Sequence, residues 1–447
     1  LDNGVHLAGN TKQTHSLFAS QIPFAKRASF LYLKEIFMNY TPEEIIEYVK
    51  EEDVKFIRLA FIDLKGNQKN VSIMPNELRR AFEYGIAFDA SAIDGFTDVA
   101  HSDLFLHPDP DTLSILPWRP EHGRVVRLYC TISHPDGTPL AVDSRTLLEN
   151  AVKKAAEYGL SFSFGSEMEF YLFLLDENGN QTFIPYDRAG YMDLAPEDKG
   201  ENIRREVCLT LEQMGIIPET SHHEAGPGQN EIDFRFSDAL SAADNAMTFQ
   251  NVVKTIASRN GLWACFTPRP LADEAGNGYH INMSMHSTDP NGPKSPSLQP
   301  FMLAGILKHI SDITAFLNPG KESYRRLGRD KAPLYVSWSP ENRSQLIRVP
   351  AVKTHHPRIE LRSPDSLTNP YIAFSLLIYA ALDGYITKSL PAEAINCNLF
   401  EADDETLESL ATLPANLEEA IAVMKESDFV KKYLPNEIIN YYSRTEN

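Results

Sequence analysis

The stretch Phe164-Gly165-Ser166-Glu167-Met168-Glu169-Phe170-Tyr171-Leu172-Phe173 decides how this chain is read. In a β-strand successive side chains alternate between faces, so Glu167 and Glu169 share one face. Two carboxylates side by side in so aromatic a run repel each other and raise their pKa values unless a cation lies between them. Taken alone, the pattern fits a strand with two solvent-facing glutamates as well as it fits a metal site.

Three further segments shift that balance. His222-His223-Glu224-Ala225-Gly226-Pro227-Gly228-Gln229-Asn230-Glu231-Ile232-Asp233-Phe234 places acids around a Gly-Pro-Gly bend tight enough to bring Glu224 and Glu231 to one point. His222 and His223 are not counted as metal ligands, since paired histidines more often serve as surface or core polar residues. In Gly276-Asn277-Gly278-Tyr279-His280-Ile281-Asn282-Met283-Ser284, a glycine turn leads into a strand with His280, Asn282 and Ser284 on one face. Arg358-Ile359-Glu360-Leu361-Arg362 repeats the alternation with Glu360 and Arg362. Together these segments offer five glutamates and one histidine, a set suited to two hard divalent ions. Oxygen-dominated ligation with a single imidazole fits Mg²⁺ or Mn²⁺ better than a structural zinc.

Arginines supply the opposite charge. Arg325, Arg326, Arg343, Arg348, Arg358 and Arg362 lie in a stretch less acidic than its surroundings. Guanidinium forks match phosphate and carboxylate oxygens bidentately, and beside a two-metal site they point to phosphoryl transfer. The chain contains no GxxxxGK[ST] loop, so it is not a P-loop enzyme.

Length and composition set the frame. The 447 residues are about three times a ~150-residue domain, and one to three domains follow. Hydrophobic residues at 43% and charged residues at 23% suit a globular protein. The formal net charge of −19 argues against nonspecific nucleic-acid binding and against docking on an anionic membrane. A local basic pocket for a small phosphate remains compatible with it. The longest apolar stretch, Tyr371 to Leu382, falls well short of the ~18 residues of a spanning helix. Cys130, Cys208, Cys265 and Cys397 are widely spaced, which predicts no disulfide framework and a reducing cytoplasm.

Residues 1–37 are set apart. No acidic residue occurs from Asn3 to Lys34, while Lys12, Lys26, Arg27 and Lys34 are basic. The stretch reads as an extension ahead of Met38 rather than as an organellar transit peptide. At Thr41-Pro42-Glu43-Glu44 the pattern becomes an N-cap, an N1 proline and an acidic first turn. Strands are predicted at Val54 to Asp63, Asn70 to Met74, Leu113 to Leu116 and Arg124 to Ile132, before a His134-Pro135-Asp136-Gly137 turn. Residues 38–138 therefore form a small mixed domain. A helix opens at Ser144 with Leu147, Leu148, Ala151, Val152 and Ala155 on one face. Residues 139–447 form the larger unit, with an antiparallel sheet carrying one functional face and a late helix from Asn416 to Met424.

The segments FGSEMEF, HHEAGPGQNEIDF, GNGYHINMSM, NRSQLIRVP and RIELRSPDSLTNPYIAFSLLIYAALDG together resemble type I glutamine synthetase. Phe88-Asp89-Ala90-Ser91-Ala92-Ile93-Asp94-Gly95-Phe96 is similar to that family's N-terminal active-site loop. The resemblance runs from about Thr41 to the C-terminal region. It implies an α+β fold: an N-terminal β-grasp domain, then an α/β catalytic domain with a curved antiparallel sheet. It further implies a dodecamer of two stacked hexameric rings, with each active site shared between neighbouring subunits. The implied reaction makes γ-glutamyl phosphate from glutamate and ATP and lets ammonia displace the phosphate.

By motif position, the resemblance assigns Glu169, Glu224 and Glu231 to the metal nearer glutamate, and Glu167, His280 and Glu360 to the metal nearer the ATP phosphates. Arg326 and Arg362, with Gly276 and His280, fall at substrate-binding positions. Arg343, Arg348, Ser284, Arg358 and His222 fall at ATP-binding positions. Asp89 matches the acid that reaches in from the neighbouring subunit to hold and help deprotonate ammonium. Asp89, Arg326 and Arg348 make up the implied catalytic set.

Departures from the family pattern are specific. Its flap usually reads Arg-Leu-x-Pro-Gly-x-Glu-Ala-Pro, and the glutamate takes a proton from ammonium. This chain reads Arg326-Leu327-Gly328-Arg329-Asp330-Lys331-Ala332-Pro333, one residue shorter, with Lys331 in place of that glutamate. A charged lysine repels ammonium and accepts no proton from it. Ala275 stands where the family has an asparagine that contacts glutamate, and Ala92 replaces a serine of the ammonium loop. Phe400 stands where some members carry an adenylylated tyrosine, so that control is expected to be absent. The departures keep two further readings beside the synthetase: a ligase joining glutamate to a larger amine, and a non-catalytic regulatory member of the family.

Overall fold

The computed structural model describes residues 40–119, 122–351 and 357–444, so the segment read as an N-terminal extension lies outside the described residues. The first helix, Pro42–Glu51, starts as its sequence predicts. The Thr41 hydroxyl accepts the Glu44 N–H, and the Glu44 carboxylate accepts the Thr41 N–H at 2.7 Å. That reciprocal pair satisfies two orphan donors, and Pro42 supplies the preset φ of the first turn.

Strands β1 (Val54–Ile62) and β2 (Gln68–Ile73) form a hairpin around Gly66, whose φ of +79° requires glycine. After a short helix, Leu78–Tyr84, come β3 (Ile86–Asp89), β4 (Asp103–Pro108), β5 (Ser114–Ile115) and β6 (Arg124–Ser133). The sheet order is β2-β1-β6-β4-β3, with β5 on β6 and β1 parallel to β6. The strand predicted at Leu113 to Leu116 shrinks to two residues, held between a 3-10 turn at Pro110–Thr112 and a turn at Pro117 and Trp118.

The larger unit begins with the helix Ser144–Glu157, capped by Asp143. Leu148, Ala151 and Ala155 are buried, whereas Val152 is 38% exposed; the buried stripe is narrower than predicted. Strands β7 (Leu160–Leu175), β8 (Gln181–Pro185), β9 (Pro218–His223), β10 (Gln229–Asp238), β11 (Leu262–Cys265), β12 (Tyr279–Ser287), β13 (Trp338–Pro340), β14 (Ile347–Val349) and β15 (Ile359–Leu361) form one nine-stranded sheet. Its path is β13-β14-β15-β12-β7-β10-β9, with β8 and β11 also on β7, and among the described residues only the β13–β14 pair is parallel.

Helices Ala239–Arg259, Ser295–Leu317 and Pro370–Thr387 supply much of the core behind this sheet. Phe374 stacks on Phe164 at 4.1 Å between ring centres. The latter two helices are long and apolar enough by composition to cross a membrane. Their most apolar windows are 67% and 72% buried inside the fold, which makes them core helices here. Where they cross, a Cβ on Gly305 would lie 2.0 Å from the Ala380 carbonyl oxygen, and one on Gly384 2.0 Å from that of Phe301. Gly305→Ala is therefore expected to destabilise the protein by about 3 kcal/mol through overpacking, read as a lowered thermal midpoint. An unchanged midpoint would show that the helices separate freely.

A buried polar network ties the two units together. The Arg145 guanidinium donates to Asp109 at 2.7 Å in the small domain and to Asp244 at 3.1 Å in the large one. Tyr371 donates to the same Asp244 carboxylate at 2.6 Å, and Tyr442 to the Leu64 carbonyl at 2.7 Å.

Candidate active site

The sheet register gathers the acidic side chains. β10 runs antiparallel to β7 with Glu231 opposite Glu169 and Asp233 opposite Glu167. β12 sets His280 opposite Glu167 on the other side of β7. β15 sets Glu360 opposite Asn282, and β14 sets Arg348 opposite Glu360. β9 brings His222 opposite Glu231. Directly opposed residues point to the same side of a sheet, so one face collects these groups from six strands.

Three clusters of potential ligand atoms result, each with all atoms within 4.8 Å of one another. They are Glu167, His280 and Glu360; His222, Glu224 and Glu231; and Glu167, Glu231 and Asp233. Shared members make the three one continuous acidic strip. The Gly-Pro-Gly bend does bring Glu224 to Glu231. Glu169 lies beside Glu231 in register, but its carboxylate accepts the Gly278 N–H at 2.7 Å and the Gln229 amide at 3.3 Å, and it joins none of the clusters. His222, set aside as a ligand from the sequence, lies 2.9 Å from Glu224.

The electrostatics call for a cation. Burial, then the Glu169, Asp233, Glu167 and Glu224 charges, push Glu231 well above the usual carboxylate range. Burial and Glu167 likewise push Asp233 up to about 6. Burial opposes charge on Glu167 too, but the His280 and Asn282 hydrogen bonds and the Arg362 charge hold it at about 2. Glu224 is also held below its ordinary value: burial raises it, and His222 and the Ala225 N–H outweigh that. Asp233 Oδ1 is buried with no hydrogen-bond partner among the described residues. Crowded carboxylates with an orphaned oxygen, and one imidazole in each of two clusters, fit divalent ions.

Arginines frame the strip. Glu360, fully buried, accepts from both Arg348 and Arg362. Arg326 is buried and donates to the carbonyls of Ser363 at 2.8 Å and Arg362 at 3.1 Å. A Cβ on Gly276 would lie 2.9 Å from Arg326 Cγ, and one on Gly278 2.8 Å from Arg326 Nη2, so these glycines let the loop close on the guanidinium. Arg362 Nε is buried with no hydrogen-bond partner among the described residues. Arg358 donates to Asn282 at 2.8 Å, and Asn282 in turn to Glu167 at 2.7 Å. Ser284 donates to the Pro357 carbonyl, while Arg343 is exposed on the loop before β14. Asp89 stands exposed at the end of β3, where the Ser91 N–H and hydroxyl hold its carboxylate below the ordinary range. The structure does not bring Asp89 to the acidic strip of its own chain.

The flap sits at the rim. Gly328, Asp330 and Lys331 adopt φ of +75°, +46° and +72°, a tight turn with two strained non-glycine residues. Asp330 pairs with Arg269 at 2.8 Å, and the Lys331 ammonium lies 5.2 Å from the Tyr191 ring centre. Tyr191 meets the His222 ring edge-on at 5.5 Å. The flap lysine is thus linked through Tyr191 and His222 to Glu224.

Two features escaped the sequence reading. Asp233 follows Glu231 by two residues, a signal that was available. The buried group Asp187, Asp198, His223 and Arg204 draws on a loop distant in sequence, and no local pattern announces it.

Residues 53–135 match the family model for the glutamine synthetase β-grasp domain, and residues 141–447 the model for the glutamine synthetase catalytic domain. The chain is 45% identical over 412 residues to a glutamine synthetase of Methanosarcina mazei, spanning 90% of this chain and 92% of that one. A Clostridium saccharobutylicum glutamine synthetase is 45% identical over 416 residues, spanning 90% and 94%. Among solved structures, GmaS in complex with ADP superposes with a TM-score of 0.80 at 26% identity, over 89% of this chain and 93% of that one. Plasmodium falciparum glutamine synthetase, at 23% identity over 91% and 95% with a TM-score of 0.78, shares the fold.

Proposed function

Because the chain belongs to the glutamine synthetase family, we propose that this acidic sheet face performs ATP-dependent joining of ammonia to the γ-carboxylate of glutamate. The terminal phosphoryl group of ATP passes to that carboxylate, ADP leaves, and the amine nitrogen then displaces phosphate at the acyl carbon. The observation that carries the reading is the overlap of three carboxylate clusters beside a glutamate gripped by two arginines.

Glu224 and Glu231 would hold one divalent ion, with Glu169 joining them on the strength of the family's motif position alone, and Glu167, His280 and Glu360 would hold the other. Bound Mg²⁺ or Mn²⁺ supplies positive charge that neutralises the phosphate oxygens during transfer. The chain's own groups do the rest. Arg326 and Arg362 orient glutamate through its oxygens, and the Arg348 guanidinium meets the moving phosphoryl group. Arg343, Arg358, Ser284 and His222 line the nucleotide side. Asp89 serves a neighbouring subunit, which its exposed place on β3 supports, and so the working form is a ring assembly, a dodecamer by the family's pattern. A cytoplasmic location belongs to the same reading, supported by four cysteines that are all free thiols.

Phosphate release from ATP, measured with glutamate and Mg²⁺ across ammonia and a panel of amines, tests the proposal. Turnover with ammonia is expected. Turnover only with larger amines would favour the second reading, a γ-glutamyl-amine ligase, to which Lys331 lends weight. No glutamate-dependent release with any acceptor would overturn both.

The raised pKa values give a pH signature. The folded, metal-free protein holds protons on Asp233 and Glu231 more tightly than the unfolded chain does. Both groups therefore favour folding below their unfolded pKa values; the Asp233 contribution is lost as pH rises through about 6, and that of Glu231 as pH rises through its own raised value. Divalent ions replace those protons, so added Mn²⁺ is expected to raise the thermal midpoint more at about pH 7.5 than at about pH 5. Equal shifts at both pH values would contradict the ligand assignment.

A further inference from the structure

Behind the acidic strip lies a second, fully buried polar group. Asp187, on the loop after β8, accepts four hydrogen bonds. Its Oδ1 takes His223 Nε2 at 2.8 Å, the Gly228 N–H at 3.0 Å and the Ala189 N–H at 3.4 Å; its Oδ2 takes the Lys199 N–H at 3.0 Å. The other ring nitrogen of His223 donates to the Glu224 carbonyl at 2.6 Å. The Glu224 N–H is bound as well, to the Gln229 carbonyl at 2.8 Å. The Glu224 backbone is thus clamped on both sides of its α-carbon, and the same carboxylate of Asp187 holds the far end of the turn at Gly228. Alongside, Arg204 pairs with Asp198 and donates to Asn230 at 2.6 Å, which anchors the strand residue before Glu231.

The ligand atoms of Asp187, Asp198 and His223 also lie within 4.8 Å of one another. This is not a third ion site, because a guanidinium and three backbone N–H groups already occupy the carboxylates, and both imidazole nitrogens face acceptors. Its geometry serves the hairpin instead. We propose that Asp187 and His223 are positioning residues for Glu224: without touching substrate or ion, they set the affinity of the Glu224 end of the site for its divalent cation. The inference rests on the reading of Glu224 as a metal ligand. Its physical basis is that a carboxylate fixed in place before binding loses less freedom when the ion arrives, and removing such outer partners weakens metal sites about 10- to 100-fold.

The test is Mn²⁺ titration of the full chain, stripped of metal with a chelator, read by calorimetry or by the free-Mn²⁺ paramagnetic resonance signal. His223→Phe keeps a flat ring and removes both hydrogen bonds; Asp187→Asn turns one acceptor into a donor facing a donor. In each, one class of Mn²⁺ site is expected to weaken about 10- to 100-fold while the other shifts less than about twofold. Should His223→Phe fail to fold, Asp187→Asn decides. A lowered thermal midpoint with both Mn²⁺ affinities intact would reduce the pair to a structural role and overturn the proposal. Glu224→Gln is the control. If it also leaves both affinities intact, the ligand reading of Glu224 has failed; if it weakens one class while the other two variants do not, the positioning inference alone has failed.

Discussion

Glu360→Gln is expected to abolish nearly all glutamate-dependent phosphate release, a loss on the order of a thousandfold at saturating ATP. Glu360 is fully buried, shares a ligand cluster with Glu167 and His280, and accepts from Arg348 and Arg362. The amide keeps the volume and removes the charge. It leaves two guanidinium groups facing each other with no anion between them, and one cation site short of a ligand. Breaking such a buried arrangement also costs about 3–5 kcal/mol of stability. The two effects separate by measurement. Circular dichroism and thermal unfolding report the fold, while the Mg²⁺ concentration for half-maximal turnover should rise steeply in whatever protein remains folded. A folded Glu360→Gln with turnover within tenfold of the parent would remove Glu360 from the chemistry altogether.

Lys331→Glu is expected to act in the opposite sense. Restoring the family's flap carboxylate should raise kcat/KM for ammonia by about tenfold to a hundredfold, within the usual reach of a positioned general base. The physical case is simple. A positive group at the rim disfavours ammonium and leaves the neighbouring subunit's Asp89 without a second carboxylate to help take its proton. The lysine rests on Tyr191 at the surface, a contact worth about 0.5–1 kcal/mol, so the exchange should barely move the thermal midpoint. If ammonia use stays unchanged, another group takes the proton; Asp330 is adjacent, though it is paired with Arg269. If use of larger amines falls as ammonia use rises, the lysine selects the acceptor.

Much of this site was legible before any coordinates. Alternation in Ser166–Phe170 and Ile359–Arg362 placed acids and arginines on shared faces because strand periodicity is a local property. The Gly-Pro-Gly bend correctly announced that Glu224 and Glu231 would meet. The Thr41 cap was readable for the same reason: its partners sit three residues apart. What stayed hidden depends on register and on distant chain. Asp233 joins Glu167 only because β10 pairs with β7 in one alignment and no other. Glu169 turns toward Gly278 through a hydrogen bond spanning 109 positions. Asp187 reaches His223 from a loop 36 positions away. Val152 looked apolar enough for the core, but the helix Ser144–Glu157 presents too narrow a stripe to bury it. The resemblance to a known family filled some of these gaps.

The sixteen-residue span of β7 has a consequence for how the molecule fails. It bonds to β8, β10, β11 and β12, and it carries both Glu167 and the deeply packed Phe164 and Phe170. Chemistry and scaffold therefore ride on a single backbone. The β7 amides beside Glu167 are expected to exchange with solvent as slowly as those beside Phe164 and Phe170, through the same large-scale opening of the sheet.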